Sequence, residues 1–317
     1  GLAAHDFVQG AAAPTTYLTR SEKMDGAPSV AARWLRRLET LSGKLPRDEQ
    51  YRLLDWWTTF DTAEQVQSAQ SPAPRPPVEA RPKQLSVTQI ETLLHNPYEI
   101  YAKKILNLRE WEAVDAPASA SHRGTWLHGL MEDLIRTDGH KADDVAGALL
   151  ALAETAQTSR AGGSAVLQHW QARLVALSEW VARYEGERQS EVEQSYPEVQ
   201  GEMSLDIGGT SFGVTAKADR IDKRHDGRFD IIDYKTGEPP AKSSVEKHLS
   251  PQLTLEAAIL EAGGFRASSG VLRGLTHEMR YLHLTGREPA GEVKKIENSP
   301  QLVDGVRATV EKLIAGY

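Results

Sequence analysis

Residues 213–240, "GVTAKADRIDKRHDGRFDIIDYKTGEPP", carry the pattern that decides the fold. Apolar and polar residues alternate with a period of two on both sides of the glycine pair at 208–209, which predicts a β-hairpin. The Asp-Gly turn at 226–227 then leads into a third apolar stretch, "RFDIIDYK". We therefore predict three consecutive strands in this part of the chain.

Two aspartates and a lysine stand out on these strands. Asp233 and Lys235 project to the same side of the third strand, with Tyr234 opposite, because side chains alternate along a strand. Asp219 precedes Asp233 by fourteen positions, so neighbouring strands can present both carboxylates to one point. Two adjacent carboxylates repel unless a cation lies between them, and Mg²⁺ prefers oxygen ligands. Beside such a metal, Lys235 can orient a water and stabilise negative charge during attack on a phosphodiester.

An alternative to this metal site is an exposed hairpin whose Asp–Lys pair has no catalytic role. Two further side chains help to decide between these two interpretations. His128 lies on a predicted helix with Glu132 one turn later, and a neutral imidazole can complete an Mg²⁺ or Mn²⁺ shell. Gln252 begins the helix after the third strand, where its amide can hold Lys235 or a DNA phosphate. Taken alone, His128 also suits a structural role in a partly buried helix, and Gln252 an ordinary first helical turn.

The composition excludes several kinds of site. The 317 residues include 37 Lys and Arg against 44 Asp and Glu, a net charge of -7, so no overall basic character indicates nucleic-acid binding. There are no cysteines, which excludes disulfides, thiolate catalysis, iron–sulfur clusters and cysteine zinc sites. No apolar run is long enough to span a bilayer and no charged-then-apolar leader opens the chain, so we expect a soluble, cytoplasmic protein without membrane contact.

Helical and strand patterns follow one another in an α/β order. A Pro-rich connector at 68–84 separates two amphipathic helices in residues 1–67 from the rest of the chain. After it, Ser86 and Gln89 form a capping-box pattern that predicts a helix, interrupted near Pro97. More helices, the three strands, a helix, a strand and a closing helix follow, which predicts one mixed sheet flanked by helices.

Four of these stretches together resemble the RecB-type nucleases of the PD-(D/E)xK superfamily. That family's pattern is G-x-x-x-H-x-x-x-E, an Asp in a hairpin, Asp-x-Lys and Gln-x-x-x-Tyr. The chain has "GTWLHGLME", "AKADRID", "IIDYKTG" and "QLTLE" in that order. The resemblance implies that residues 85–317 form a restriction-endonuclease-like α/β core, with a mixed central sheet flanked by helices.

The resemblance also implies a role for each candidate residue. The implied ligands of Mg²⁺ or Mn²⁺ are Asp219, Asp233, His128 and the carbonyl of Tyr234. Lys235 would be the catalytic base or the stabiliser of the transition state, and Gln252 a positioning residue. The reaction would be metal-dependent hydrolysis of DNA.

A closer resemblance is to the AddB subunit of bacterial AddAB helicase–nucleases. "LSVTQIETLLHNPYEIYAKKILNLRE" is similar to that family's first nuclease helix, and "SPQLTLEAAILEAGGF" to its alphaproteobacterial form. "YLTRSEKMDGAPSVAARWLRRLE" is similar to the end of the helicase-like region, which makes residues 1–67 a helical remnant of that region and residues 68–84 a linker. The resemblance implies cleavage of single-stranded DNA or an unwound duplex end in double-strand break repair, with an AddA-type helicase–nuclease subunit as partner. Because the chain begins without Met, we expect a fragment of a longer protein.

Two positions depart from the family. Many AddB and RecB-like nucleases hold an iron–sulfur cluster with cysteines, one of them where this chain has Asn96. No such cluster is expected here, and we expect packing alone to hold the domain closed. Glu256 stands where the family often has Tyr, which puts the helper role of the last motif in doubt but leaves the two aspartates and the lysine untouched.

Two alternatives to this function stay open. One is a nuclease-fold module with little turnover that binds DNA ends or acts as a scaffold, which the intact Asp, Asp and Lys set argues against. The other is a stand-alone RecB-like nuclease of the restriction or CRISPR-associated type, which the helicase-like opening segment disfavours.

Overall fold

The computed structural model describes residues 2–43, 52–63, 65, 68, 70–111, 120–159 and 165–317, and the chain divides into two compact units, residues 1–71 and 72–317. The first unit contains α1 (Leu2–Ala11), β1 (Lys23–Met24), β2 (Ala27–Pro28), α2 (Arg33–Ser42) and α3 (Arg52–Asp61). The two helices predicted in this region correspond to α2 and α3, whereas α1 was missed. Residue 67, where we place the end of the helicase-like region, lies outside the described residues.

The described residues of the second unit form eight α-helices and eight strands. Its helices are α4 (Val87–His95), α5 (Pro97–Ile100), α6 (Ala120–Arg136), α7 (Val145–Ser159), α8 (Ala165–Arg188), α9 (Lys242–Glu246), α10 (Gln252–Ala262) and α11 (Pro300–Gly316). Its strands are β3 (Gln84–Ser86), β4 (Val192–Ile207), β5 (Thr210–Arg224), β6 (Phe229–Lys235), β7 (Phe265–Ala267), β8 (Gly270–Leu272), β9 (Thr276–Leu284) and β10 (Gly291–Glu297). None of the helices in the described part of the chain combines the length and apolar character needed to cross a bilayer.

All eight strands belong to one mixed sheet, which confirms the predicted fold class. Their order is β10-β9-β6-β5-β4-β7-β8, and β3 pairs with β5 outside this path. The pairs β3·β5 and β6·β9 are parallel and the others antiparallel. The predicted hairpin and third strand are β4, β5 and β6, and the predicted later strand is β9. The sequence patterns missed β3, β7, β8 and β10.

Helices cover both faces of this sheet. On the first face, α4, α10 and α11 bury apolar side chains against the strands. On the second face, α6, α7 and α8 do the same. The capping box predicted at the start of α4 is present, because Ser86 accepts a hydrogen bond from the Gln89 backbone and the Gln89 side chain accepts one from the Ser86 backbone. Helix α4 therefore begins directly where β3 leaves the sheet.

One edge of β5 is shared between two partner strands. It pairs with β3 through residues 213–215 and with β6 through residues 220–223, so residues 216–219 lie between the two pairings. On the other edge, the β4 residues Pro197 and Val199 pair with Arg220 and Ala218, and Glu198 between them has a φ of +53°, in the left-handed region. Such a residue interrupts the regular alternation of side chains along a strand. The sheet thus opens on one side of Asp219 and is irregular on the other.

Below this opening, on the second face, charged side chains form a buried network. Arg220 makes two hydrogen bonds to Glu185, at 2.5 and 2.9 Å, and one of 2.7 Å to Asp222. Arg188 joins Asp222 to Asp230, at 2.7 and 2.9 Å. All five side chains are buried. Our expectation that packing alone holds the domain closed is therefore incomplete, because these ion pairs tie α8 to β5 and β6.

Replacement of Arg220 by Met is expected to destabilise the protein by about 3–5 kcal/mol, because it leaves the carboxylates of Glu185 and Asp222 buried without their main partner. Denaturant unfolding measures this loss. The matched control is Lys223→Met on the same strand, whose ion pair with Glu193 is exposed to solvent, and its unfolding midpoint should hardly change. Equal destabilisation by the two substitutions would contradict a structural role for the buried network.

Candidate active site

The opening beside β5 brings Asp219 next to the end of β6. Arg220 pairs with Ile232, so Asp219 and Asp233 occupy the next positions of the two strands. There the Tyr234 backbone N–H donates a hydrogen bond to Asp219 Oδ2 at 2.8 Å. The Tyr234 N–H thus donates to a side-chain oxygen where the strand pairing would offer a backbone carbonyl. This hydrogen bond holds the Asp219 carboxylate beside Asp233.

Asp233, Lys235 and Gln252 form one hydrogen-bonded cluster on the first face of the sheet. Lys235 Nζ donates to Asp233 Oδ1 at 3.1 Å and also lies 2.8 Å from Oδ2, without the angle of a hydrogen bond there. Gln252, at the start of α10, donates to Asp233 Oδ1 at 2.5 Å and accepts from Lys235 Nζ at 3.1 Å. The side-chain alternation predicted for β6 is observed, because Tyr234 packs into the core of the second face.

His128 approaches the same point from the second face. Its Nδ1 lies 3.4 Å from Asp219 Oδ2, and its ring meets that of Tyr234 edge-on, with 5.9 Å between centroids. Glu132, one turn later on α6, pairs instead with Arg136. The structure therefore brings together every residue that we singled out for the site, whereas Glu132 of the same motif is bound elsewhere.

The pKa values in the cluster are shifted because the carboxylates of Asp219 and Asp233 lie close together with little contact with water. Burial, followed by the negative charge of Asp219, raises the pKa of Asp233 from 3.8 to about 6, against the opposing effect of Lys235. Burial lowers the pKa of Lys235, but the Asp233 charge and hydrogen bond outweigh this and raise it overall. Burial likewise lowers the pKa of His128, and its contact with Asp219 raises it above the ordinary value. Lys235 is therefore an ammonium ion at neutral pH.

Sequence reasoning missed the side chains beneath this cluster. Glu256 on α10 is 1% exposed and accepts a hydrogen bond from Gln252 Nε2 at 3.3 Å. Burial, followed by the charges of Asp233 and Asp219, raises its pKa well above 4.5. Tyr281 on β9 lies with its ring 5.8 Å from Lys235 Nζ. The Glu256 position was visible in the sequence only as a departure from a motif, and Tyr281 gave no signal at all.

The donor types at this point fit a hard divalent cation, although no three His, Asp or Glu side chains of the described chain are already arranged to hold one. Asp219 and Asp233 supply carboxylate oxygens and His128 an imidazole nitrogen, which suit Mg²⁺ or Mn²⁺. Asp233 Oδ2 is buried and lacks a hydrogen bond. Metal binding would require the Asp233 carboxylate to turn from Lys235 and Gln252 towards Asp219.

Comparison with known proteins finds one family profile and several relatives. The sequence profile described as "PD-(D/E)XK nuclease superfamily" matches residues 84–317. An uncharacterized protein of Rickettsia bellii is 31% identical over 248 residues, which are 74% of this chain and 30% of that protein. An uncharacterized protein of Rickettsia conorii is 29% identical over 324 residues, covering 95% of this chain and 38% of that protein.

A further relative has a functional name. It is one subunit of an ATP-dependent helicase/deoxyribonuclease of Streptococcus agalactiae, and it is 25% identical over 294 residues, which are 87% of this chain and 24% of that protein. The chain thus spans between about a quarter and two fifths of the length of these relatives.

Replacement of Asp233 by Asn is expected to stabilise the metal-free protein at pH 8 and to leave its stability nearly unchanged at pH 4. The folded-state pKa of about 6 lies above the ordinary 3.8, so the parent loses stability as pH rises through this interval, by roughly 1–3 kcal/mol. Denaturant unfolding in chelator at several pH values measures the difference between parent and variant.

The matched control for this experiment is Asp222→Asn. Burial alone would raise the pKa of Asp222, but Arg220 and Arg188 lower it to about 2, so this carboxylate stabilises the folded protein above pH 4. Asp222→Asn should therefore be less stable than the parent at pH 8. A stability difference between parent and Asp233→Asn that does not grow with pH would contradict the raised pKa of Asp233.

Proposed function

Because the chain belongs to the PD-(D/E)XK nuclease superfamily, we propose that it is a Mg²⁺- or Mn²⁺-dependent deoxyribonuclease that hydrolyses phosphodiester bonds. One observation carries this proposal. Two carboxylates, Asp219 and Asp233, lie at adjacent positions of neighbouring strands, and Lys235 is bonded to the second of them. This set of groups suits phosphodiester hydrolysis, which needs a held metal ion and a fixed positive charge.

In this proposal the residues of the site have separate roles in metal binding and catalysis. Asp219, Asp233, His128 and the carbonyl of Tyr234 would hold the metal. When bound, a divalent cation polarises the phosphate and lowers the pKa of a coordinated water. Lys235 is an ammonium ion beside Asp233 in the metal-free protein, and in this proposal it stabilises the negative charge that develops on the phosphate.

Gln252 fixes the direction of the lysine. Its amide oxygen accepts from Lys235 Nζ, and its amide nitrogen also donates to Glu256 Oε1, so two contacts can hold the ammonium in one orientation after Asp233 turns towards the metal. A preorganised charge of this kind stabilises a transition state without further rearrangement.

We further propose that the chain is the nuclease part of an AddB-type subunit. The Streptococcus agalactiae relative is named as a subunit of a helicase/deoxyribonuclease and extends well beyond the matched region. In this proposal residues 1–67 come from a helicase-like region, 68–84 are the linker and 85–317 the nuclease domain. An AddA-type subunit would be the partner, and the complex would trim unwound DNA ends in double-strand break repair and recombination in the cytoplasm.

A second candidate function, DNA-end binding with little turnover, is favoured by one observation. Lys235 and Gln252 both bond to Asp233, so a cation has to compete with them for this carboxylate. A parent protein that binds DNA but leaves it uncleaved in both Mg²⁺ and Mn²⁺ would support this candidate over the nuclease.

Replacement of Asp233 or Asp219 by Ala is expected to lower the rate of DNA cleavage by about 100-fold or more while the protein stays folded, because either change removes a metal ligand. Cleavage is measured on single-stranded DNA after chelator treatment and restoration of Mg²⁺. The control is Asp304→Ala, an exposed position on α11, which should cleave like the parent. Undiminished cleavage by a folded Asp233→Ala protein would contradict the proposed site.

A further inference from the structure

Two arginines share one tryptophan ring near the candidate site. The guanidinium carbon of Arg123, on α6, lies 5.3 Å from the centre of the Trp170 ring, and that of Arg173 lies 5.4 Å from it. Trp170 is 6% exposed, whereas both arginines are half-buried. Within the described residues neither guanidinium is paired with a carboxylate. Among the residues that the structure describes, two positive charges thus contact one tryptophan ring without a carboxylate partner.

This arginine pair lies at the end of the sheet that carries Lys235. A side chain on Gly124, next to Arg123, would come within 3.3 Å of the hydroxyl of Thr236, the residue after Lys235. A side chain on Gly286, just beyond β9, would come within 3.0 Å of both Trp170 and Arg173. Because β6 and β9 are parallel, both contacts are at the same end of these strands.

We propose that Arg123 and Arg173 bind consecutive phosphates of the single DNA strand that enters the site. The chain as a whole carries a charge of -7, and the carboxylates of Asp219 and Asp233 repel a polyanion, so local positive charge is needed to hold DNA there. Stacking on Trp170 fixes both guanidiniums while leaving N–H groups free to donate to phosphate oxygens. The inference rests on the proposed function and adds the path of the substrate to it.

Binding of a fluorescent oligothymidylate in chelator, measured at several salt concentrations, tests the arginine pair without cleavage. Arg123→Gln and Arg173→Gln should each weaken binding severalfold and reduce the slope of log affinity against log salt by about 0.7, the contribution of one phosphate on single-stranded DNA. The matched control is Arg183→Gln, an exposed arginine of α8, which should keep the parental slope. Arg123→Lys and Arg173→Lys retain the charge and should keep most of the slope.

The outcomes separate this inference from the proposed function. The phosphate contacts would be overturned if folded Arg123→Gln and Arg173→Gln proteins kept the parental salt slope. The same holds if they lost no more DNA affinity than Arg183→Gln, even if the parent cleaves DNA. A parent that neither binds nor cleaves DNA would overturn the proposed function, and this inference with it.

A separate observation concerns the amide of Gln252. Its nitrogen donates to Asp233 Oδ1 and to Glu256 Oε1, and its oxygen accepts from Lys235 Nζ. Both donors and the acceptor are thus in use, and a reversed amide would set its oxygen against the Asp233 carboxylate and its nitrogen against the Lys235 ammonium. Glu256 supplies one of the three contacts that fix this orientation.

We infer that Glu256 is a positioning residue for Lys235, acting through Gln252. It provides an acceptor for the Gln252 amide nitrogen, on the side of the amide away from Lys235. This inference also rests on the proposed function, because its consequence is a correctly placed ammonium during hydrolysis.

A double-mutant cycle tests this role of Glu256. Glu256→Ala should lower kcat about tenfold with KM unchanged, and the same substitution should have no further effect in a Gln252→Ala background, because the residue acts only through that amide. Glu256→Gln keeps an oxygen acceptor and should retain most of the parental kcat. The inference would be overturned if Glu256→Ala lowered kcat equally with Gln252 and with Ala at position 252. It would also be overturned if Glu256→Ala and Glu256→Gln lowered kcat equally.

A second readout does not depend on cleavage. The side-chain amide protons of Gln252 should exchange slowly with solvent in the parent, and faster in Glu256→Ala than in Glu256→Gln, when followed by heteronuclear NMR. Unchanged exchange in Glu256→Ala would overturn the positioning role. If the amide exchange is slow and depends on Glu256 but the protein cleaves no DNA, the contact between Glu256 and Gln252 is supported and only the proposed function is rejected.

Discussion

The site depends on the placement of two carboxylates side by side where the sheet opens. Asp219 and Asp233 occupy adjacent positions of β5 and β6, just past the last backbone pairing between the strands. Burial, followed by the negative charge of Asp219, raises the pKa of Asp233 to about 6. Lys235 lies beside Asp233 as a counter-charge, and Gln252 donates its amide to the same carboxylate. Without a cation this crowding is costly, and a divalent metal relieves it directly.

The fold keeps these carboxylates together with buried charge as well as apolar packing. Arg220, the neighbour of Asp219, is 1% exposed and bonds to Glu185 on α8, which anchors β5 from the second face. On the first face, α10 brings Gln252 and Glu256 beneath β6. The site thus lies between two layers of helices, and the opening in the sheet lets side chains from both layers reach it.

Much of this arrangement was accessible from the sequence because it depends on local patterns. Alternation at a period of two predicted β4 to β6 and the common side of Asp233 and Lys235, and motif order indicated the site residues. What was missed depends on distant pairings. Nothing local distinguishes Arg220 from a surface arginine, since Glu185, which accepts two of its hydrogen bonds, is 35 residues away. The left-handed Glu198 was equally invisible, because Gly or Asn is the usual residue for such backbone. Helix α7 is apolar on most sides and gave no clear period.

The central claim is that Asp219 and Asp233 together hold a divalent cation. A crystal structure of the protein with bound Mn²⁺, solved with anomalous data at the manganese edge, tests it most directly. We predict one anomalous peak within coordination distance of both carboxylates, with His128 turned towards it and Asp233 released from Gln252. A peak elsewhere, or none at saturating Mn²⁺ with Asp233 still bonded to Lys235 and Gln252, would contradict the claim.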